Sequence, residues 1–363
     1  MSQQGKLTSI STSASYPITP FVVGPSGQAG YQTIQSAINA ANVAGGGTIY
    51  IQAGTYVENL ILFDLVYLRG VAWTDSASVI ISGQHTAPAT GTVQFEGLFL
   101  SHATAIFNDN SSKNVTFNII NTLINVTNGT AFNVANFSGT MNLYDCVFIS
   151  SNDSIFNNSS GSMTFETFDC ALGIGSSTGN IQVNGNALLD NSIMWTTYTM
   201  TNGTLFAGNG STFHNTLIFN GNSTGGVYTS QILSGLAPAI TMSSSGSFTV
   251  SECVINSTNN PAISGGGIGL LTLTGLSFIN NSNISGALTT SYVPFISGEI
   301  RAGSDIGGAT GFTSLTKTNS TTIGAGVGVI KMSSANNADN SAWIKIYIGT
   351  TAYWIPAWTT NSP

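Results

Sequence analysis

The chain has 363 residues, of which 42% are hydrophobic and only 6% are charged, with a net charge of −7. This length and apolar content suffice for a buried core, and recurring aromatic and β-branched residues exclude a disordered chain. Seven scattered lysines and arginines argue against nucleic-acid partners, and no apolar run reaches the roughly 18 residues of a membrane span.

The first segment, residues 1–21, reads as an extended leader. Pro17 and Pro20 favour extended backbone there. The segment lacks the apolar core of a signal peptide. We therefore expect a protein that is exported by another route or released within a virus particle, and that acts on a virion surface or outside the cell.

A short helix is predicted next, because Tyr31, Ile34, Ile38 and Ala41 recur at helical intervals. The glycines at 45–47 end it, a strand follows at 48–52, and a turn is predicted at 54–56. This order is typical of a helix that caps the open end of a stack of parallel strands.

A repeat then runs along the chain. Apolar segments surround a small residue at positions 70, 97, 122, 146, 170, 191, 215, 253 and 275, mostly 21–27 residues apart. This interval fits one turn of a coil built from short strands. We assign the longer interval before Cys253 to a loop from Gln231 to Ile240. The predicted fold is all-β: a right-handed parallel β-helix of nine to eleven coils over residues 22–292.

The repeat also explains the three cysteines. Cys146, Cys170 and Cys253 occupy the same small position, which indicates a crowded interior column and no disulfide or metal site. Asparagines at equivalent places predict side-chain ladders between coils.

Residues 293–363 predict a small C-terminal β module with strands at 329–332, 343–348 and 352–356. It contains Trp343, Trp354 and Trp358. These form either a core of the module or an aromatic surface that contacts a glycan or partner.

The N-terminal part of the chain resembles the pectin methylesterase and pectate lyase-like superfamily. The matching stretches are the YQTIQ segment at 31–35, the strand at 48–51, Gly54-Thr55-Tyr56, Glu58-Asn59 and the ISG segment at 81–83. The resemblance implies the capped β-helix, which viral tail fibres and tailspikes also contain. It also implies that a methylesterase would carry two aspartates and an arginine.

Only part of that catalytic set has a counterpart. Asp153 stands where the family's first aspartate lies, but the second aspartate segment is missing and no arginine occurs between Arg69 and Arg301. Carboxylate pairs across coils offer an alternative site, formed by Asp145, Asp153, Glu166 and Asp169. We expect no cofactor and no metal, because the histidines are far apart and no nucleotide-binding motif is present.

These observations favour a structural and host-recognition subunit of a virus or phage, similar to a fibre or tailspike. It would bind surface glycans without turnover and assemble as a homotrimer. A polysaccharide depolymerase or esterase is one alternative. A subunit of an extracellular filament that stacks head to tail is another.

Overall fold

The structure is a computed structural model. It describes residues 21–24, 29–71, 79–150, 154–174, 179–235, 238–243, 245–258, 261–266, 270–274, 277–279, 284–286, 289–292, 331–332, 341–348 and 351–358.

Three parallel sheets form the body of the described chain, and successive strands pass from one sheet to the next. Sheet 1 has 13 strands: Phe21–Val23, Gly47–Ile51, Val66–Gly70, Thr90–Glu96, Asn114–Ile120, Ser138–Tyr144, Ser162–Phe168, Ala187–Asp190, Thr204–Gly208, Thr224–Tyr228, Ser247–Ser251, Leu270–Thr274 and Thr289–Tyr292. Sheet 2 has 11 strands: Gly54–Val57, Val79–Ser82, Phe99–His102, Leu123–Val126, Val147–Ser150, Ala171–Ile174, Ile193–Met194, Thr212–Phe213, Gln231–Ser234, Val254–Ser257 and Ser277–Ile279.

Sheet 3 has nine strands: Phe107–Asn108, Phe132–Asn133, Phe156–Asn158, Asn180–Asn184, Thr197–Asn202, Leu217–Phe219, Ile240–Met242, Ile263–Gly265 and Ile284–Gly286. Nine turns therefore contain a strand of every sheet, which confirms the predicted β-helix and its number of coils. Gly54-Thr55-Tyr56 lies in a strand of sheet 2 and not in a turn, so that prediction is wrong.

The predicted helix runs from Ile34 to Val43 and lies on the first strands. Its buried side chains are those of Ile34, Ala37, Ile38 and Ala41. The carboxylate of Glu58 accepts hydrogen bonds from the backbone amides of Ile34 at 2.9 Å and Gln35 at 3.0 Å. An anion at a helix N-terminus is stabilised by the unpaired amides and by the helix dipole. No helix among the described residues has the length and apolarity of a membrane span.

A fourth sheet, which is antiparallel, contains the strands Lys331–Met332, Ser341–Ile348 and Thr351–Trp358. These strands agree with those predicted near the C-terminus. The boundaries of the leader, the β-helix and the C-terminal module stay a prediction.

The turn between sheets 1 and 2 repeats one local geometry. A residue with positive φ precedes a small buried residue in a column formed by Thr122, Cys146, Cys170, Ser192, Ser211, Ser230 and Cys253. The backbone amide of Cys146 donates to Cys170 Sγ at 3.4 Å, and that of Cys170 donates to Ser192 Oγ at 3.2 Å. The three cysteines thus share one interior column, as the repeat predicts.

The alignment of the other turns needs correction. Gly97 and Asn191, which the repeat places in the column, are instead the positive-φ residues of their turns. The column position in these turns is therefore the next residue along the chain. Ser211, and not Asn215, occupies the column, and Ser230 adds a turn that the repeat missed. The predicted loop from Gln231 to Ile240 instead includes the regular strand Gln231–Ser234.

The positive-φ position favours asparagine and aspartate, whose short polar side chains tolerate left-handed backbone. Glu252 departs from this rule at φ 54°, whereas Asn191 obeys it at φ 44°. We therefore expect Glu252→Asn to raise the free energy of unfolding by roughly 0.5–1 kcal/mol. Urea denaturation measures the change. Asn191→Glu should lower stability by a similar amount, and equal stability of all three proteins would contradict the argument.

Candidate functional site

The outward side of sheet 1 carries three rows of aligned side chains, which we call the three-row face and name after the side chains that characterise each row. Inward residues of its strands, such as Phe95, Phe117 and Phe165, are buried, so the alternate positions point outward. Strand register aligns the members of each row. The hydroxyl row is Thr92, Thr116, Thr140 and Thr164, and the amide row is Gln94, Asn118, Asn142 and Glu166. The aromatic row is Glu96, Ile120, Tyr144 and Phe168.

The amide row is an asparagine ladder that ends at a carboxylate. Asn142 Nδ2 donates to Asn118 Oδ1 of the preceding turn at 2.8 Å. Asn142 Oδ1 is buried and has no hydrogen-bond partner within the described part of the chain. Its neighbour in the next turn is Glu166, and an ionised carboxylate only accepts hydrogen bonds. A second ladder in sheet 3 links Asn108, Asn133 and Asn157, so the predicted ladders are confirmed.

The aromatic row contains two rings that stack on each other. The rings of Tyr144 and Phe168 are parallel, with centroids 5.0 Å apart and an interplanar angle of 6°. The Tyr144 residue is 37% exposed. This pair of an exposed tyrosine and a half-buried phenylalanine is suited to contact with the apolar part of a ligand, while the tyrosine hydroxyl group can form hydrogen bonds.

Two of the predicted catalytic residues lie on the turns at the edge of this face. Asp145 and Asp169 have φ angles of 51° and 54° and are exposed on neighbouring turns. Asp169 Oδ1 accepts a hydrogen bond from Asn191 Nδ2 at 2.5 Å. The left-handed backbone explains why aspartate stands at both positions, so their presence is accounted for without chemistry.

The structure therefore places Asp145 and Asp169 at one edge of the face and Glu166 in its amide row, while Asp153 lies outside the described residues. Paired catalytic carboxylates work in environments of different polarity, one of them shielded from water. Asp145 and Asp169 are both open to water. These two aspartates can accept hydrogen bonds from a ligand and lack the asymmetry of a catalytic pair, whereas Glu166 is half-buried.

Metal and thiol chemistry find no support in the described residues. No group of three or more histidine, cysteine, aspartate or glutamate side chains among them could hold a metal ion. Burial raises the pKa of Cys253 to about 11, and a hydrogen bond with Cys170, together with burial, raises the pKa of Cys146. Thiols with raised pKa values are unreactive, as structural cysteines are. The hydrogen bond with Cys146 lowers the pKa of Cys170, whose side chain is buried.

The tryptophans of the C-terminal sheet lie in its two long strands. Trp343 is paired with Pro356, Trp354 with Lys345 and Trp358 with Ser341. Their contact with a glycan stays a prediction.

Sequence reasoning missed an aromatic pair beside sheet 2. The rings of Trp195 and His214 are parallel, with centroids 3.9 Å apart, and the Trp195 residue is 39% exposed. The two residues belong to turns that are 19 residues apart, as the Ser192–Ser211 contact shows. A repeat aligned at two dozen residues cannot find this pair, whereas a 19-residue spacing could have done so.

No protein-family model matches this sequence, and no curated protein matches it. Among solved structures, the chain is similar to the A-module of the mannuronan C-5 epimerase AlgE4 of Azotobacter vinelandii. The identity is 10% and the TM-score 0.37, over 72% of this chain and 92% of that chain. A pectin methylesterase of Aspergillus niger is 18% identical with a TM-score of 0.29, over 74% of this chain and 88% of that chain.

Similarity at this level carries no argument about activity. The order of strands in the three sheets makes the described part of this chain a parallel β-helix, which is the fold that its N-terminal resemblance implies.

Proposed function

We propose that this chain is the rod of a fibre- or tailspike-like subunit, on a virion surface or otherwise outside the cell, and that it binds surface glycans without turnover. The observation that carries the proposal is the three-row face, in which a hydroxyl side chain occurs at all four strands, an amide at three of them and an aromatic ring at two. Neighbouring strands lie about 4.8 Å apart. A glycan chain along the face would offer hydroxyl groups to two rows and apolar ring faces to the third.

Binding is favoured over turnover by the carboxylates at the edge of the face. Asp145 and Asp169 are exposed, and Asp169 is engaged with Asn191. Arg69, the nearest arginine in the sequence, lies two strands away from Asn118 and pairs with Glu96 at 3.1 Å. The two aspartates lack the surroundings of a general acid, and Arg69 lacks those of a residue that stabilises an anion.

Lateral association of the rod is supported by sheet 2. One outward row of this sheet is apolar in six consecutive turns, namely at Ile80, Phe99, Leu123, Val147, Ala171 and Ile193. A continuous apolar row on a surface is typical of an interaction site. A homotrimer or a filament would cover it, and several copies of the three-row face would bind glycans with avidity.

The test is a comparison of two exposed aromatic pairs. We expect Tyr144→Ala with Phe168→Ala to weaken binding to a glycan array by at least about tenfold, since both stacking rings are removed. The matched control is Phe206→Ala with Tyr228→Ala, because these rings stack at 5.2 Å on the same sheet but outside the three-row face. An equal loss in both variants would place the binding site elsewhere.

Turnover is measured in the same experiment. The unaltered protein should release no new reducing ends and no ester groups from the bound polysaccharide. Release that Asp153→Asn or Glu166→Gln abolishes would overturn the proposal in favour of an enzyme.

A further inference from the structure

The charges around the three-row face define the class of glycan that it accepts. The face and its edge carry Glu96, Glu166, Asp145, Asp169 and, one strand further, Asp190. The sequence contains no lysine or arginine between Lys113 and Arg301. Residues 114–300 therefore supply no lysine or arginine that could neutralise the carboxylates of these turns.

The two cations that precede these turns each pair with a carboxylate, although the Arg69 side chain, on the strand before the face, is 46% exposed. Lys113 Nζ lies 2.5 Å from Asp109 Oδ2 and donates to the carbonyl group of Ala87 at 2.6 Å, and its side chain is only 12% exposed. Arg69 pairs with Glu96. Acidic sugars are bound by arginine forks or lysine ammonium groups, because these match a carboxylate in charge and geometry. No such group is free among the described residues of the face.

A polyanion would therefore meet like charge along the face. Repulsion between exposed carboxylates acts over the Debye length, about 8 Å at physiological salt, which spans more than one turn. An uncharged sugar instead donates its hydroxyl groups to the carboxylates and side-chain amides, and hydrogen bonds to charged acceptors are the stronger ones.

From these charges we infer that the glycan is uncharged, without uronate, sulfate or other acidic groups. This inference rests on the proposed function. It separates the chain from enzymes of similar architecture whose names refer to mannuronan and pectin.

The experiment uses a glycan array with pairs that share a backbone and differ only in carboxylates, such as methyl-esterified and de-esterified oligogalacturonates. Within each pair that binds, we expect the neutral member to be retained at least about tenfold better at low salt. Binding of the neutral member should not change with salt, whereas any binding of the acidic member should improve as salt screens the repulsion.

A charge variant completes the test. Asp145→Asn with Asp169→Asn keeps residues that suit the left-handed backbone and should narrow the difference within each pair. Equal or tighter binding of acidic members by the unaltered protein would overturn the inference while leaving glycan binding intact. Binding of no glycan at all would instead overturn the proposed function and, with it, this inference.

Discussion

Replacement of Phe107 by alanine should lower the free energy of unfolding by about 4 kcal/mol, in the range of buried phenylalanine truncations. Phe107 is fully buried, and its ring lies 5.0 Å from that of Phe117 and 5.4 Å from that of Phe132. It therefore joins two consecutive turns of the core. Removing the ring forfeits its buried area and leaves a cavity that stiff neighbouring strands cannot fill.

Thermal and urea denaturation measure this effect. Phe206→Ala is the control, because Phe206 also stacks on an aromatic ring but is 50% exposed. We expect the control to lose less than about 1 kcal/mol. A small loss for Phe107→Ala would show that the core of these turns tolerates a cavity and that the aromatic contacts are not decisive.

Acidification should destabilise the first turns through His85. Its ring is buried between Phe95 and Phe107, and Nδ1 accepts a hydrogen bond from the backbone amide of Leu60 at 3.2 Å. The neutral ring therefore carries its proton on Nε2. A protonated ring would place an N–H group against the Leu60 amide and a charge among apolar side chains.

The pH range over which stability changes follows from the shift in the pKa of His85. Burial, aided by the like charge of His102, lowers the pKa of His85 from its ordinary 6.5 to about 4 in the folded protein. Between these values the unfolded chain binds more protons, so stability is complete above pH 6.5 and falls as the pH drops toward 4. The slope is up to about 1.4 kcal/mol per pH unit, or roughly 3 kcal/mol in total.

The measurement is the free energy of unfolding of the unaltered protein and of His85→Asn at several pH values. Asparagine keeps an acceptor for the Leu60 amide and does not titrate. The difference between the two proteins isolates His85 from the carboxylates, which titrate in both. His102→Asn should retain most of the dependence, and a pH-independent difference would refute the assignment.

The sequence predicted the fold because its strongest signals are local. Helical spacing at Ile34 and Ile38, and the small residues at 122, 146 and 170, are set by packing within one turn or between equal turns. It mispredicted the later turns because the column spacing shortens to 19 residues at Ser211. Register there is set by backbone hydrogen bonds between turns, and no single residue reports it.

A two-residue pattern would have located the turns between sheets 1 and 2 more accurately than a single small residue. A residue suited to left-handed backbone followed by a small polar one occurs at Asn121-Thr122, Asp145-Cys146, Asp169-Cys170 and Asn191-Ser192. Prediction of the candidate site also required the register between neighbouring strands. Asp145, Glu166 and Asp169 were expected near one another, but the rows of Thr140 and Asn142 emerge only when strands are aligned.

The length of the β-helix can change by whole turns. Successive column residues from Thr122 to Cys170 are 24 residues apart, and each turn touches only the turns above and below it. Duplicating one such unit would lengthen the body by a single inter-strand distance, about 4.8 Å, and leave both ends unchanged. If the duplicated unit is the one with Thr140, Asn142 and Tyr144, the hydroxyl, amide and aromatic rows would each gain one member as the rod lengthens.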